Sequence, residues 1–326
     1  MSTETDEELS ELTTILNDAK LEHMIFKPHY ENTAKKNKLI NKSITKIIET
    51  INLIKIIRNN NITVLLGSPC LRNRLAHLIT KVRYGSYIRS LHPDSKNPSS
   101  LSDKIYFKFK KFGILNRHLN PYHADACFIS TPINSNFLQA RSISSDRIKS
   151  IGAVWLEDNT RILLTNAPRR IFYLTQAYKE HNKPEAHLEQ IEIIKRLLEI
   201  SSEIKTDIII RRHPRDNYDY VNEIGSQNIA INDDSPRDFM EQLNKQDTVI
   251  SAFSTMAFEI AHLGGTIQFI TLDSISAYEV AFRDVGIKPI SWREIQQHHI
   301  NSPTKIECNV FFEYQLMHLQ EFCAES

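Results

Sequence analysis

At 326 residues the chain is long enough for two ordinary domains, each with a full core. Charged residues make up 24% and hydrophobic residues 41%, with a formal net charge of +1, a balance that fits a globular protein and argues against a general nucleic-acid binder. The four cysteines, Cys70, Cys127, Cys308 and Cys323, are widely spaced without a C-x-x-C pair, which excludes a zinc ribbon or disulfide frame and fits reduced thiols in a cytoplasmic protein.

The first 40 residues are polar, with six carboxylates before Lys20, the reverse of a signal peptide; they read as a loosely docked extension with a helical pattern near Leu9 to Leu21. No apolar run is long enough to span a bilayer, so the expected location is cytoplasmic, with peripheral contact to an inner membrane left open. Apolar spacing predicts a helix over Ile44 to Ile57, then a strand at Ile62 to Leu66, a helix from Leu71 to Val82 and a strand from Gly85 to Leu91 ending in His92-Pro93-Asp94. Strand, helix, strand with short connections signals a parallel sheet. Lys104 to Lys111 alternates aromatic and basic residues; it reads either as an ordinary amphipathic helix or as a surface for anionic lipid or an anionic acceptor. Ala126 to Ile129 is a further strand ending in Ser130-Thr131-Pro132, and Ile148 to Gly152 a short one.

The second domain opens with the strand Arg170 to Leu174, ending in Thr175-Gln176. A long helix from Pro184 to Ile204 follows, with its apolar face on Leu188, Ile191, Ile194, Leu197 and Leu198. Strands at 207–211, 228–231, 247–251 and 266–272 alternate with helices at 236–244 and 255–263, with a last short strand at 285–290. A helical tail closes the chain and is expected to pack back across the first domain. The organisation read from this is a polar extension (1–40), an N-terminal Rossmann-like domain (41–160), a C-terminal Rossmann-like domain (161–304) and a terminal helix (305–326). The strand ends are expected to face a shared cleft.

Only eight glycines occur, and none forms a G-x-G-x-x-G or Walker A loop, so a nucleotide would bind by other means. Two strand ends offer them. Arg211-Arg212-His213-Pro214-Arg215 gathers three guanidiniums around an imidazole that cannot continue a helix, because the residue before proline is pushed toward extended geometry. His213 reads as a structural turn residue or as a donor to a leaving phosphate. Alternation puts Arg211 and Arg212 on opposite sides, so some of the arginines are structural. Ser254-Thr255 opens a helix, where hydroxyls and backbone N–H groups either cap the helix or hold a phosphate, uses that do not exclude each other. Asp233 and Asp234 read as turn formers or as acceptors for a base or ribose, and Glu259 as a ribose contact or a solvent-facing side chain.

At His213-Pro214 and Ser254-Thr255 the chain resembles bacterial sialyltransferases and related capsule transferases, over roughly residues 125 to 272. The resemblance implies a GT-B α/β fold and an inverting, metal-independent transfer of an acidic sugar from a CMP donor to a cell-surface glycan or glycolipid, as in capsule or lipooligosaccharide biosynthesis. It implies no cofactor beyond that donor substrate. In this reading His213 is the catalytic donor, Arg211, Pro214, Arg215, Ser254 and Thr255 surround the phosphate, and Gln176, Asp233, Asp234 and Glu259 hold the nucleotide. The family's acidic D/E-D/E-G motif, which supplies the catalytic base, has no counterpart in residues 40 to 160; Asp94 is its best substitute by position. The alternatives are another GT-B enzyme using a CDP-polyol or a UDP-sugar, transferase or epimerase, and a degenerate GT-B protein that only binds a partner or lipid surface.

Overall fold

The computed structural model describes residues 6–26, 38–67, 70–88, 124–139, 143–153, 156, 169–225, 229–275, 277–301, 311–312 and 314–325. They fall into two compact units, the first holding the described residues from 6 to 153 with 311–325, the second those from 156 to 301. Both are parallel sheets covered by helices on both faces, the Rossmann-like arrangement expected from the alternating pattern.

The first unit contains α1 (Asp6–Asp18), α2 (Lys38–Asn59), β1 (Val64–Gly67), α3 (Leu71–Thr80), β2 (Arg83–Ile88), β3 (Ala126–Ile129), α4 (Pro132–Gln139) and β4 (Ile148–Ser150). Its strands lie in the order β1-β2-β3-β4, all parallel. One face packs Leu53 and Ile57 of α2, Ala76 of α3 and Leu138 of α4 against Leu65, Tyr84, Ile88, Cys127 and Ile129. The other face packs α1 and the terminal helix, named α11 below (Met317–Ala324), through Leu12, Ile15, Leu16, Leu319 and Phe322.

Within the stretch expected to be a loose extension, α1 is instead docked. The apolar stripe of α1 at i, i+3 and i+4 is a core face, with Ile15 fully buried. The polar composition of its outer side disguised it. The terminal helix does pack back on this unit. Arg83 lies 4.2 Å over the Phe322 ring and donates to the Phe322 carbonyl at 2.8 Å, while Phe322 meets Phe128 edge-on at 5.4 Å. A Cβ at Gly85 would stand 2.5 Å from Leu66 and 2.7 Å from Phe128, so only glycine lets these side chains close over β2.

The second unit runs β5 (Ile171–Leu174), α5 (Pro184–Ile204), β6 (Ile208–Arg211), α6 (Tyr220–Ile224), β7 (Ile229–Asn232), α7 (Pro236–Gln242), β8 (Thr248–Ser251), α8 (Thr255–His262), β9 (Thr266–Thr271), α9 (Ala277–Asp284), β10 (Ile290–Ser291) and α10 (Gln297–Asn301). The strand order is β10-β9-β8-β5-β6-β7, every pair parallel. The strands are buried on both sides, which is why they read as unbroken apolar runs.

Two expectations shift here. The stretch 285–290 is not a strand; α9 ends at Asp284, Gly286 turns the chain at φ 72°, and only Ile290 and Ser291 pair with β9. The buried face of α5 is also rotated. Leu188 is 62% exposed, and the core side carries Ala186, Gln190, Ile193, Ile194 and Leu197, with a polar Gln190 at its centre. Among the described residues, no helix is long and apolar enough to cross a membrane.

Candidate functional site

The strand order fixes where a ligand fits on the second unit. From β5 the chain moves outward through β6 to β7, then crosses back to place β8 on the other side of β5. The connections after β5 and β8 therefore leave on opposite faces, and a crevice opens at the carboxyl ends of these two strands. Thr175 and Gln176 end β5 there, Ala252 to Thr255 end β8, and the Arg-His-Pro-Arg segment ends β6 on the far side of β5.

The β6 end is a wired turn. Pro214 presets φ at the second position of a β-turn that closes with the Asp216 N–H donating to the His213 carbonyl at 2.8 Å. The His213 N–H donates to Thr175 Oγ1 at 3.1 Å, fastening the turn to the end of β5. The Arg215 N–H donates to His213 Nδ1 at 3.1 Å. A backbone N–H can only donate, so Nδ1 is the acceptor and the neutral ring carries its proton on Nε2. Burial holds the His213 pKa below its ordinary value, and Arg215, His181 and Arg211 add to this against the pull of Asp216. The ring is thus a neutral Nε2–H donor of fixed orientation.

Beneath the turn lies a buried network that the sequence reading did not find. Thr175 Oγ1 donates to Asp216 Oδ2 at 2.5 Å, and Tyr220 Oη donates to the same oxygen at 2.7 Å. Gln190 Nε2 donates to Tyr220 Oη at 2.6 Å, and its amide brackets the backbone of Gln176, accepting from N at 2.8 Å and donating to O at 3.1 Å. Burial and the Asp216 charge both push the Tyr220 pKa up, so Tyr220 remains a donor. One signal could have revealed this set: a Gln at the centre of an otherwise apolar helical stripe.

The remaining arginines and the β7 end divide the work. Arg211 is 4% exposed; both its terminal nitrogens donate to backbone carbonyls, of Arg212 at 2.9 Å and Asp234 at 2.5 Å, and its guanidinium lies 5.4 Å over Phe239. Arg212 holds Asp233 through Nε at 2.8 Å and through Nη2, a bidentate pair that keeps the Asp233 carboxyl below its ordinary pKa. Asp234 accepts from Asn232 at 2.6 Å and Gln242 at 2.8 Å. These side chains build the β6–β7 edge. Pro214 and Arg215 are exposed beside His213.

At the β8 end, Ser254 occupies the N-cap of α8 in extended geometry (φ −145°, ψ 135°), yet its side chain makes no capping hydrogen bond. Its carbonyl starts the helix by accepting from Ala257 N at 3.0 Å. The position is held from behind: Phe253 stacks on Tyr278 at 4.7 Å and meets Phe258 and Phe282 edge-on. The hydroxyl therefore stands at a fixed helix N-terminus without being used by the helix. Thr255 and Glu259 are half-buried, one turn apart on the same helical face. Asp94 and Lys104 to Lys111 lie outside the described residues.

No family model matches the chain, and no curated protein does, so the sialyltransferase resemblance gains no support at the level of sequence. Solved structures do match. The UDP-GlcNAc 2-epimerase of Methanocaldococcus jannaschii, in complex with UDP-GlcNAc and UDP, is 13% identical with a TM-score of 0.61, over 100% of this chain and 99% of that one. The UDP-N-acetylglucosamine 2-epimerase of Rickettsia bellii is 12% identical at 0.54, over 99% and 93%. UGT89C1 of Arabidopsis thaliana, complexed with UDP, is 10% identical at 0.52, over 98% and 86%. At these identities the likeness establishes the fold: a GT-B-type chain of two Rossmann-like domains.

Proposed function

We propose that this chain is a nucleotide-sugar enzyme that holds its donor's phosphates at the carboxyl edge of the six-stranded sheet, and that the donor is a UDP-sugar. The observation that carries the reading is the pair of donors flanking β5. His213 Nε2–H lies on one side, and the unspent Ser254 hydroxyl at the start of α8 on the other. The strands that bear them are two inter-strand spacings apart, roughly 10 Å. That span favours two linked phosphates over the single phosphate of a CMP donor. UDP in the solved structures of the M. jannaschii epimerase and UGT89C1 supports the same choice.

In this proposal the Ser254 hydroxyl and the α8 N-terminus stabilise charge that develops on the leaving phosphate. His213 donates a hydrogen bond from a neutral ring, with its orientation set by Arg215 N, Thr175 and Asp216. Arg215 adds positive charge from the rim, Glu259 and Gln176 face the nucleoside, and Arg211, Asp233 and Asp234 position the loops. The reaction is transfer or rearrangement at the sugar's anomeric end, with UDP as the leaving group.

Calorimetric titration with UDP, CDP and CMP tests this on the wild type and His213→Ala. UDP is expected to bind best and to weaken about tenfold or more in the variant, the loss set by a hydrogen bond to a charged group. A preference for CMP would restore the acidic-sugar transferase, and failure of all three to bind would leave a GT-B protein without donor chemistry.

A further inference from the structure

The first unit carries an apolar surface that none of its own described elements covers. α2 and α3 lie in one layer on the same face of the four-stranded sheet, with Leu53, Ile57 and Ala76 turned inward. They are joined by the ion pair of Glu49 with Arg72 at 3.3 Å. On their outer sides, Ile47, Ile48 and Ile51 of α2 are 47 to 59% exposed, and Leu75, Leu78 and Ile79 of α3 are 36 to 49% exposed. Spacings of one, three and four residues make each trio contiguous on its helix. Six large aliphatic side chains thus face outward from two neighbouring helices, an arrangement that marks an interaction surface on a globular protein.

The charge around it selects the partner. Of the basic residues of α2 and α3, Arg72 is buried against Glu49, while Lys55 and Arg58 are exposed. Lys55 and Arg58 continue the Ile47–Ile51 stripe at spacings of four and three, both exposed, and Lys81 follows α3 directly, also exposed. Among the described residues no carboxylate pairs with these three. A second copy docked face to face would set like charges against each other. An aliphatic face with a basic margin matches a bilayer surface, where apolar side chains enter the headgroup boundary and lysines and arginines meet anionic headgroups.

We propose that the outer face of α2 and α3 is a docking surface for an anionic lipid bilayer. It rests on residues other than Lys104 to Lys111, and it holds whatever the donor is. The test is sedimentation of the full chain with vesicles of phosphatidylcholine alone and with equal parts phosphatidylglycerol. The wild type is expected to sediment with the mixed vesicles only, and to release in high salt. Ile51→Glu with Leu78→Glu, at exposed positions, should lower bound protein about tenfold or more, and so should Lys55→Glu with Arg58→Glu, while the thermal transition stays in place. Hydrogen exchange on the wild type gives a readout without substitution: mixed vesicles should protect residues 47–58 and 71–81. Equal binding to both vesicle types, wild-type binding in both variants, or unprotected helices would overturn the proposal. So would a dimer in light scattering that Ile51→Glu with Leu78→Glu dissociates, which would make the face a protein interface.

Discussion

The two units each contain a strand that ends in Ser-Thr and runs into a helix, and they use it differently. After β3, Thr131 is fully buried and its hydroxyl accepts from Ile133 N at 3.3 Å, while Asn134 ties the first turn to the Ile88 carbonyl. After β8, Ser254 is half-exposed and leaves its hydroxyl out of the cap. In the first unit the motif fastens a helix; in the second, aromatic packing behind Phe253 holds the turn and the hydroxyl is left out of the cap, where the proposed donor would meet it. What matters is whether something else already secures the turn.

The comparison can be broken most severely at the support beneath the β6 turn. Asp216→Ala leaves the Thr175 and Tyr220 hydroxyls buried without their shared acceptor. The expected loss is about 3 kcal/mol of stability, seen in denaturant melts, together with nucleotide binding. A neutral outcome would mean that the network does not hold His213.

A sharper contrast comes from paired substitutions of the two hydroxyls. Ser254→Ala should lower UDP affinity about tenfold with an unchanged melting temperature, since no cap is lost. Thr131→Ala should do the reverse, costing about 1 kcal/mol of stability with UDP affinity intact. If both variants lose only stability, the β8 motif is an ordinary cap.

The smallest effect is on pH. Burial holds the folded pKa of His213 below its ordinary 6.5, and His187 and His262 are lowered by burial as well. The unfolded chain then takes up protons at higher pH than the folded chain, so this stability is present above 6.5 and declines as pH falls toward the folded values. Melting temperatures between pH 7.5 and 5 should fall steadily; a rise on acidification would contradict the buried, neutral ring.

Much of the fold was legible because doubly covered parallel strands read as apolar runs, and β5, β6 and β8 lie within a residue of where those runs place them. The strand ends carrying His213 and Ser254 were legible for the same reason. The misreadings share a cause. α1 looked loose because its exposed positions, Ser10, Thr14, Asn17 and Asp18, are polar, and α5 was rotated because its buried face includes Gln190. Periodicity counts a polar residue as surface, whereas a buried amide with partners on Gln176 and Tyr220 belongs to the core. The roles of Arg211 and Arg212 depend on which carbonyls and carboxylates lie within reach, which only three dimensions supply.

The most direct test of the central claim is nitrogen NMR of the His213 ring in protein labelled at imidazole, recorded at pH 7.5 before and after adding UDP. The account predicts a neutral ring with its proton on Nε2 in the free protein, and a shift of that Nε2 resonance on UDP addition that needs about tenfold more UDP to reach the same extent in Ser254→Ala. A proton on Nδ1, or an Nε2 signal that UDP leaves unmoved while still binding elsewhere, would contradict it.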